Sequence, residues 1–320
     1  MQMLKNPDSE CRNSPFFDVA IVDECGQALE ACSFIPILQA KRCVLAGDHY
    51  QLPPTITGSG NLFKDDPMTL LDRIAKDFNG ENTTMLSIQY RMNSKISEYS
   101  SHTFYDSMLV ADKSVTDHIP DNIIKTHPDF LQRNVLNFID TSDNRMFSEY
   151  QNTKNFDRSK ANLGEIALVV SYTKILLTSG FDQTQIGIIT PYSLQNSFIK
   201  ECLKNENYKN VEVSSVDGFQ GREKDIIILS LVRSNAECNI GFLSDIRRLN
   251  VALTRARKHL IIFGCRRTLS NSKCEEIKGF CDFMIENANC LHVHDFMKTF
   301  GLDNEIQNFA NSLQQNVMPK

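Results

Sequence analysis

Phe17-Asp18-Val19-Ala20-Ile21-Val22-Asp23-Glu24-Cys25-Gly26-Gln27-Ala28 is the stretch from which the fold is read. An apolar, β-branched run breaks abruptly into two adjacent carboxylates, the pattern of a buried strand whose end is exposed. Runs of the same kind recur at 43–46, 186–189, 211–216, 226–231 and 260–263. Between them lie longer segments with helical spacing, at 163–177, 193–203 and 245–257. Strands alternating with helices predict an α/β fold, a parallel sheet with helices on both faces. Ligands of such sheets gather beyond the carboxyl ends of the strands, so the polar residues after each run are the candidates for chemistry.

The 320 residues suffice for two compact units, and 41% apolar residues can build their cores. The longest apolar runs, 226–232 and 260–263, are far shorter than the ~20 residues of a bilayer-spanning helix. The opening Met1-Gln2-Met3-Leu4-Lys5-Asn6-Pro7-Asp8 has neither the apolar core of a signal peptide nor the Arg-rich character of a transit peptide, so the expected address is cytoplasm or nucleus. None of the ten cysteines forms a Cys-x-x-Cys pair, and the spacing of Cys281, Cys290, His292 and His294 fits no common zinc template. A net charge of −5 excludes a uniformly basic surface but says little about any one groove. Residues 141–162, rich in Asn, Ser and Asp, read as a solvated surface excursion, and the segment after Arg267 reads as one or two peripheral helices.

The carboxylate pair can divide its labour. Asp23 would hold Mg²⁺, and Glu24 would take the proton of a water attacking a γ-phosphate. An isolated Asp-Glu after a strand is more often a solvated turn. A second strand, however, runs into Gly47-Asp48-His49-Tyr50-Gln51-Leu52-Pro53-Pro54, where Gly47 permits a tight turn, Gln51 can bridge the water or γ-phosphate, and the prolines fix the exit.

Together these two stretches resemble motifs II and III of the superfamily 1 helicases of the nonsense-mediated-decay helicase group. Gln89-Tyr90-Arg91-Met92 resembles motif IV, the segment 216–225 motif V, and the segment 248–257 motif VI, all in the family's order. The resemblance covers about residues 16–268, and the segments between motifs resemble most the immunoglobulin mu-binding branch.

The resemblance implies a P-loop NTPase of RecA-like parallel sheets. Residues 1–85 would be the C-terminal part of a first motor domain, 86–270 a complete second one, and 271–320 a helical tail. ATP and Mg²⁺ would be the cofactors, and ATP would sit between the two domains. Single-stranded DNA or RNA would be the partner, with unwinding or translocation 5′ to 3′. Glu24, Arg91 and Arg255 would be catalytic, Arg91 and Arg255 as guanidinium groups on the phosphates. Asp23, Gln51, Tyr90, Gly221 and Glu223 would hold the nucleotide, Tyr90 by stacking and Glu223 at the ribose hydroxyls. Thr190, Pro191, Tyr192, Ser214, Ser215 and Gln220 would track the nucleic-acid backbone. Apart from the resemblance, each of these residues reads equally as a surface or turn residue, and the basic stretch 247–258 as a solvated face.

The family also requires Gly-x-x-x-x-Gly-Lys-Ser/Thr, and no two of the fourteen glycines stand five apart. The expectation is therefore that the resemblance begins inside the first motor domain, with the missing half supplied in cis or in trans and little ATP hydrolysis by the 320 residues alone. The alternative is a nucleotide-incompetent binding or regulatory module derived from such a motor.

Overall fold

The computed structural model describes residues 15–54, 69–78, 81–120, 134–151 and 159–317. It divides into two compact units, Met1–Met85 and Leu86–Lys320.

In the first unit β1 (Phe17–Val22) and β2 (Ala40–Leu45) pair in parallel, with Val19 opposite Arg42 and Val22 opposite Leu45. Helix α1 (Glu30–Ile37) connects them, and α2 (Leu70–Asp77) begins at a capping box between Thr69 and Asp72. The strands expected to be buried are open instead: Phe17, Val19, Ile21 and Val44 are all exposed. The physical reason is that the sheet has two strands among the described residues, too few to cover both of its faces.

The second unit begins with a short parallel pair, β3 (Ile88–Gln89) and β4 (Val110–Ala111), flanking helix α3 (Ser94–Phe104). Its centre is a six-stranded, wholly parallel sheet. The members are β5 (Leu136–Asp140), β8 (Ile186–Ile189), β9 (Glu212–Ser214), β10 (Lys224–Ser230), β11 (Ala256–Gly264) and β12 (Asn289–His292), in spatial order β12-β5-β11-β10-β8-β9. A short antiparallel pair, β6 (Tyr150–Gln151) with β7 (Lys160–Ala161), stands apart. The runs Ile226-Ile227-Ile228-Leu229 and Leu260-Ile261-Ile262-Phe263 are buried on both faces, which is why they show no polar alternation. Helices α4 (Leu163–Thr178), α5 (Ser193–Asn205), α6 (Ile246–Leu253), α7 (Arg266–Ser270), α8 (Glu275–Asn287), α9 (Val293–Phe300) and α10 (Asp303–Val317) complete the unit.

Three expectations change. The segment 271–320 is not a detached tail: β12 extends the sheet, Phe280 and Phe296 are buried, and α10 lies against α4 with Ser171 Oγ bonded to Glu305 Oε1 at 3.2 Å. The excursion 141–162 is anchored at both ends by the buried Phe147 and Asn162, while 152–158 lie outside the described residues. The helix expected over 245–257 stops at Leu253, because the chain turns at Thr254 to enter β11.

Candidate active site

In the first unit, β1 and β2 deliver their C-terminal loops side by side. Cys25 N–H donates to Ala46 O at 3.0 Å, and Ala46 N–H to Val22 O at 2.9 Å. The loops touch so closely that a Cβ on Gly26 would lie 2.8 Å from Asp48 O, and one on Gly47 2.9 Å from Cys25 Sγ. Cys25 fills the junction, and burial pushes its thiol pKa up. Glu24 takes φ 52°, a left-handed conformation that a side chain other than glycine adopts at a cost of about 1–3 kcal/mol. That turn keeps Asp23 and Glu24 in solvent at the strand end. Asp23 Oδ1 accepts the Glu24 N–H at 2.9 Å, Gln27 Nε2 donates to Glu24 Oε2 at 2.5 Å, and Gln51 Nε2 donates to Asp48 Oδ2 at 3.0 Å. Gln27 joins the expected residues here, and its spacing of three from Glu24 across a tight turn is the sequence signal for it.

In the second unit Arg91, Glu223 and Arg255 converge from widely separated positions. Arg91 Nε donates to Glu223 Oε2, and Arg91 Nη1 to Thr254 O at 3.5 Å. Arg257 Nε stands 3.8 Å from Glu223 Oε1. Arg255 is only 2% exposed, and its guanidinium donates to Val251 O at 2.9 Å, Arg222 O at 3.4 Å and Thr254 Oγ1 at 3.0 Å. Thus Glu223, expected at a ribose, holds Arg91 here, and Arg255 is bound to the backbone of its own turn. Tyr90, next in sequence to Arg91, is 64% exposed. Gly221 has φ 72°, with open space where a Cβ would stand, so its need for glycine is conformational.

The expected strand-tracking residues gather at the ends of β8 and β9. Thr190 N–H donates to Ser214 O at 3.2 Å, and Ser215 Oγ accepts the Gly218 N–H at 3.2 Å. Thr190 Oγ1 and Gln220 Nε2 are buried without a hydrogen-bond partner among the described residues. Tyr192 departs from expectation, since its ring is 3% exposed and its hydroxyl accepts from Arg233 Nη1 at 3.2 Å. Burial raises its pKa against the pull of the Arg233 charge. Arg233 is clamped by Glu149, Nε to Oε2 at 2.8 Å. For Glu149, burial alone would raise the pKa, but hydrogen bonds from Arg233, Lys160 and Asn235 outweigh it and hold the carboxyl at about 2. Nothing local in the sequence announces this pair, whose members stand 84 residues apart.

Residues 67–267 match a family model described as an AAA domain, and residues 7–59 match a second with the same description. The chain belongs to this family, within the superfamily 1 helicases of the nonsense-mediated-decay helicase group. Among its relatives, DNA-binding protein SMUBP-2 of Rattus norvegicus is 36% identical over 286 residues, covering 88% of this chain and 28% of that protein. DNA polymerase alpha-associated DNA helicase A of Saccharomyces cerevisiae is 38% identical over 290 residues, covering 87% of this chain and 42% of the relative. Helicase sen1 of Schizosaccharomyces pombe is 37% identical over 270 residues, covering 82% and 15%. The chain therefore spans less than half the length of each of these relatives. No described helix is long and apolar enough to cross a membrane.

Proposed function

We propose that this chain is the part of an ATP-driven nucleic-acid helicase that supplies the base, the metal-binding carboxylate and the arginines of ATP hydrolysis, coupled to 5′ to 3′ movement on single-stranded DNA or RNA. The observation that carries this proposal is that Arg91 meets both Glu223, 132 positions away, and the carbonyl of Thr254, the residue before Arg255. The Arg91 guanidinium, held by a carboxylate, can be turned to phosphate oxygens when a nucleotide takes the carboxylate's place, and charge developing there is stabilised. The relatives' names, DNA helicase and DNA-binding protein among them, support the same class of activity.

The donor set suits Mg²⁺. Asp23 is an exposed oxygen donor that spends one lone pair on the Glu24 N–H and keeps others. The bound ion would offset the negative charge of the phosphate oxygens. Glu24, oriented by Gln27, would accept the proton of the attacking water at a carboxylate oxygen, and Gln51, tied to Asp48, would position that water. Tyr90 would offer its exposed ring to the base of the nucleotide. Ser214, Ser215 and Gln220, all partly exposed, would meet the nucleic-acid backbone, with the buried Thr190 tied to Ser214 beneath them.

A helicase half carrying Gly-x-x-x-x-Gly-Lys-Ser/Thr would join this chain in cis or in trans, in the cytoplasm or nucleus. The open apolar residues of β1 and β2 support that, because further strands would cover them. The test is nucleic-acid-stimulated ATP turnover in a protein that unites this chain with such a half. Glu24→Gln and Arg91→Ala should each lower turnover about 100-fold or more while thermal melting is kept. Full turnover in either variant would refute the assignment and favour a nucleotide-incompetent binding module.

A further inference from the structure

One aromatic side chain has no place in the roles above. Phe242, in the turn Gly241–Ser244, is 58% exposed, and beside Tyr90 it is the only exposed Phe or Tyr among the described residues of the second unit. Exposure of so large a ring is unfavourable, yet the surrounding backbone holds it outward. Gly241 takes φ 53°, and a Cβ there would lie 2.8 Å from the Tyr192 hydroxyl, so the turn can approach this closely only as glycine. Tyr192 is fixed from below by Arg233, and Arg233 by Glu149.

Arg233 is aimed by a strained residue. Val232 has φ 69°, a rare conformation for a β-branched side chain. It is held there by two buried side chains, with its N–H donating to Glu165 Oε2 at 2.9 Å and its carbonyl accepting from Asn162 Nδ2 at 3.1 Å. On this foundation Phe242 stands edge to face with Tyr192, centroids 5.6 Å apart and planes at 64°. Pro191, Val216, Asp245 and Arg248 border the same shallow pocket. Two of these, Pro191 and Val216, are chain neighbours of Thr190 and Ser215.

We propose that Phe242 is a stacking platform for a base of single-stranded nucleic acid, with Tyr192 as its buried support and Arg248 beside it for a phosphate. This rests on the nucleic-acid reading above and assigns it a residue which that reading did not include. Every base offers a π face, so one rigid ring serves any sequence. Arg248 is partly exposed, and its ion pairs, 3.4 Å to Asp217 and 3.3 Å to Asp245, are loose enough for a phosphate to replace.

The test uses the 320-residue chain and a fluorescein-labelled oligothymidylate of about 15 nucleotides, a length at the upper end of common single-strand sites, together with an abasic oligomer of equal length. Phe242→Ala should weaken binding of the oligothymidylate about tenfold or more and leave the abasic oligomer's affinity unchanged, whereas Phe242→Trp should restore it. Equal affinity of wild type and Phe242→Ala for the oligothymidylate overturns the stacking role alone. Equal losses on both oligomers assign Phe242 a structural role and also overturn it. No binding of either oligomer by the wild-type chain overturns this proposal and the nucleic-acid reading together.

Discussion

At the scale of the residue, the acidic loop is held in place by what two glycines lack. Gly26 and Gly47 let the turns after β1 and β2 touch, and Cys25 is sealed between them. Gly47→Ala should force the loops apart at a cost of about 1–3 kcal/mol and open the junction. The check is alkylation of Cys25 under native conditions, followed by mass spectrometry of its peptide: rapid labelling in the variant and slow labelling in the wild type is the expected outcome, and equal rates would show that the approach is not tight. Of these residues the carboxylates were legible in the sequence, since charge directly after an apolar strand is conspicuous. The left-handed turn at Glu24 was not, because nothing in the residue type asks for it. Phe242 was equally hidden, for a phenylalanine in a sequence signals core, and only the packing around it reveals that it is held outward.

The elements of the second unit repeat this contrast. Strands β10 and β11 are plain from their apolar runs, whereas Asn137 interrupts β5 and Asn289 opens β12, which has only Cys290 and Leu291 as apolar residues. The two asparagines face one another across the register, Asn289 Nδ2 to Asn137 Oδ1 at 2.8 Å, so the polarity that hid the strands is what pairs them. Deleting 271–320 would strip Phe280, Cys281, Met284, Val293, Phe296 and Ile306 from the core. At roughly 1.5–3 kcal/mol for each large apolar side chain, the loss rivals the whole stability of about 5–15 kcal/mol of a typical domain. The truncated chain should lose cooperative thermal melting, and a sharp transition would mean that these elements are dispensable. Beneath the β10 end, opposite forces act on two glutamates. Burial lifts Glu165 to about 7 against the hydrogen bonds of Ser230 and Val232, above its ordinary 4.5. The folded state then prefers the protonated acid, so this stabilisation is complete below pH 4.5 and is lost as pH rises toward 7, an effect of about 3 kcal/mol. Glu149, held at about 2, works the other way: its contribution is complete above pH 4.5 and is lost as pH falls toward 2. Urea midpoints should therefore decline for the wild type between pH 4.5 and 7, and Glu165→Gln should flatten that decline. An unchanged slope would remove Glu165 as its source.

For the molecule as a whole, the contrast between the units matters most. The second unit buries its sheet on both faces, while the first leaves Phe17, Ile21, Ile35 and Leu38 more than half exposed. Apolar surface of that kind drives association. The 320-residue chain by itself should sediment as self-associated species, and a monodisperse monomer at micromolar concentration would count against an uncovered sheet. The family was legible because five short motifs fall in its order. What stays hidden from the sequence is how the arginines are held, since that depends on contacts such as Arg91 with Glu223 and Arg255 with Val251 O. The central claim is that Arg255 acts in the hydrolysis of ATP. It is met most directly by single-turnover hydrolysis of ATP, with saturating single-stranded nucleic acid, in a protein that unites this chain with a phosphate-loop half. Arg255→Ala should slow the chemical step about 1000-fold and leave nucleic-acid affinity as it was; a rate within a factor of about two of the wild type, at equal nucleotide occupancy, would contradict the claim.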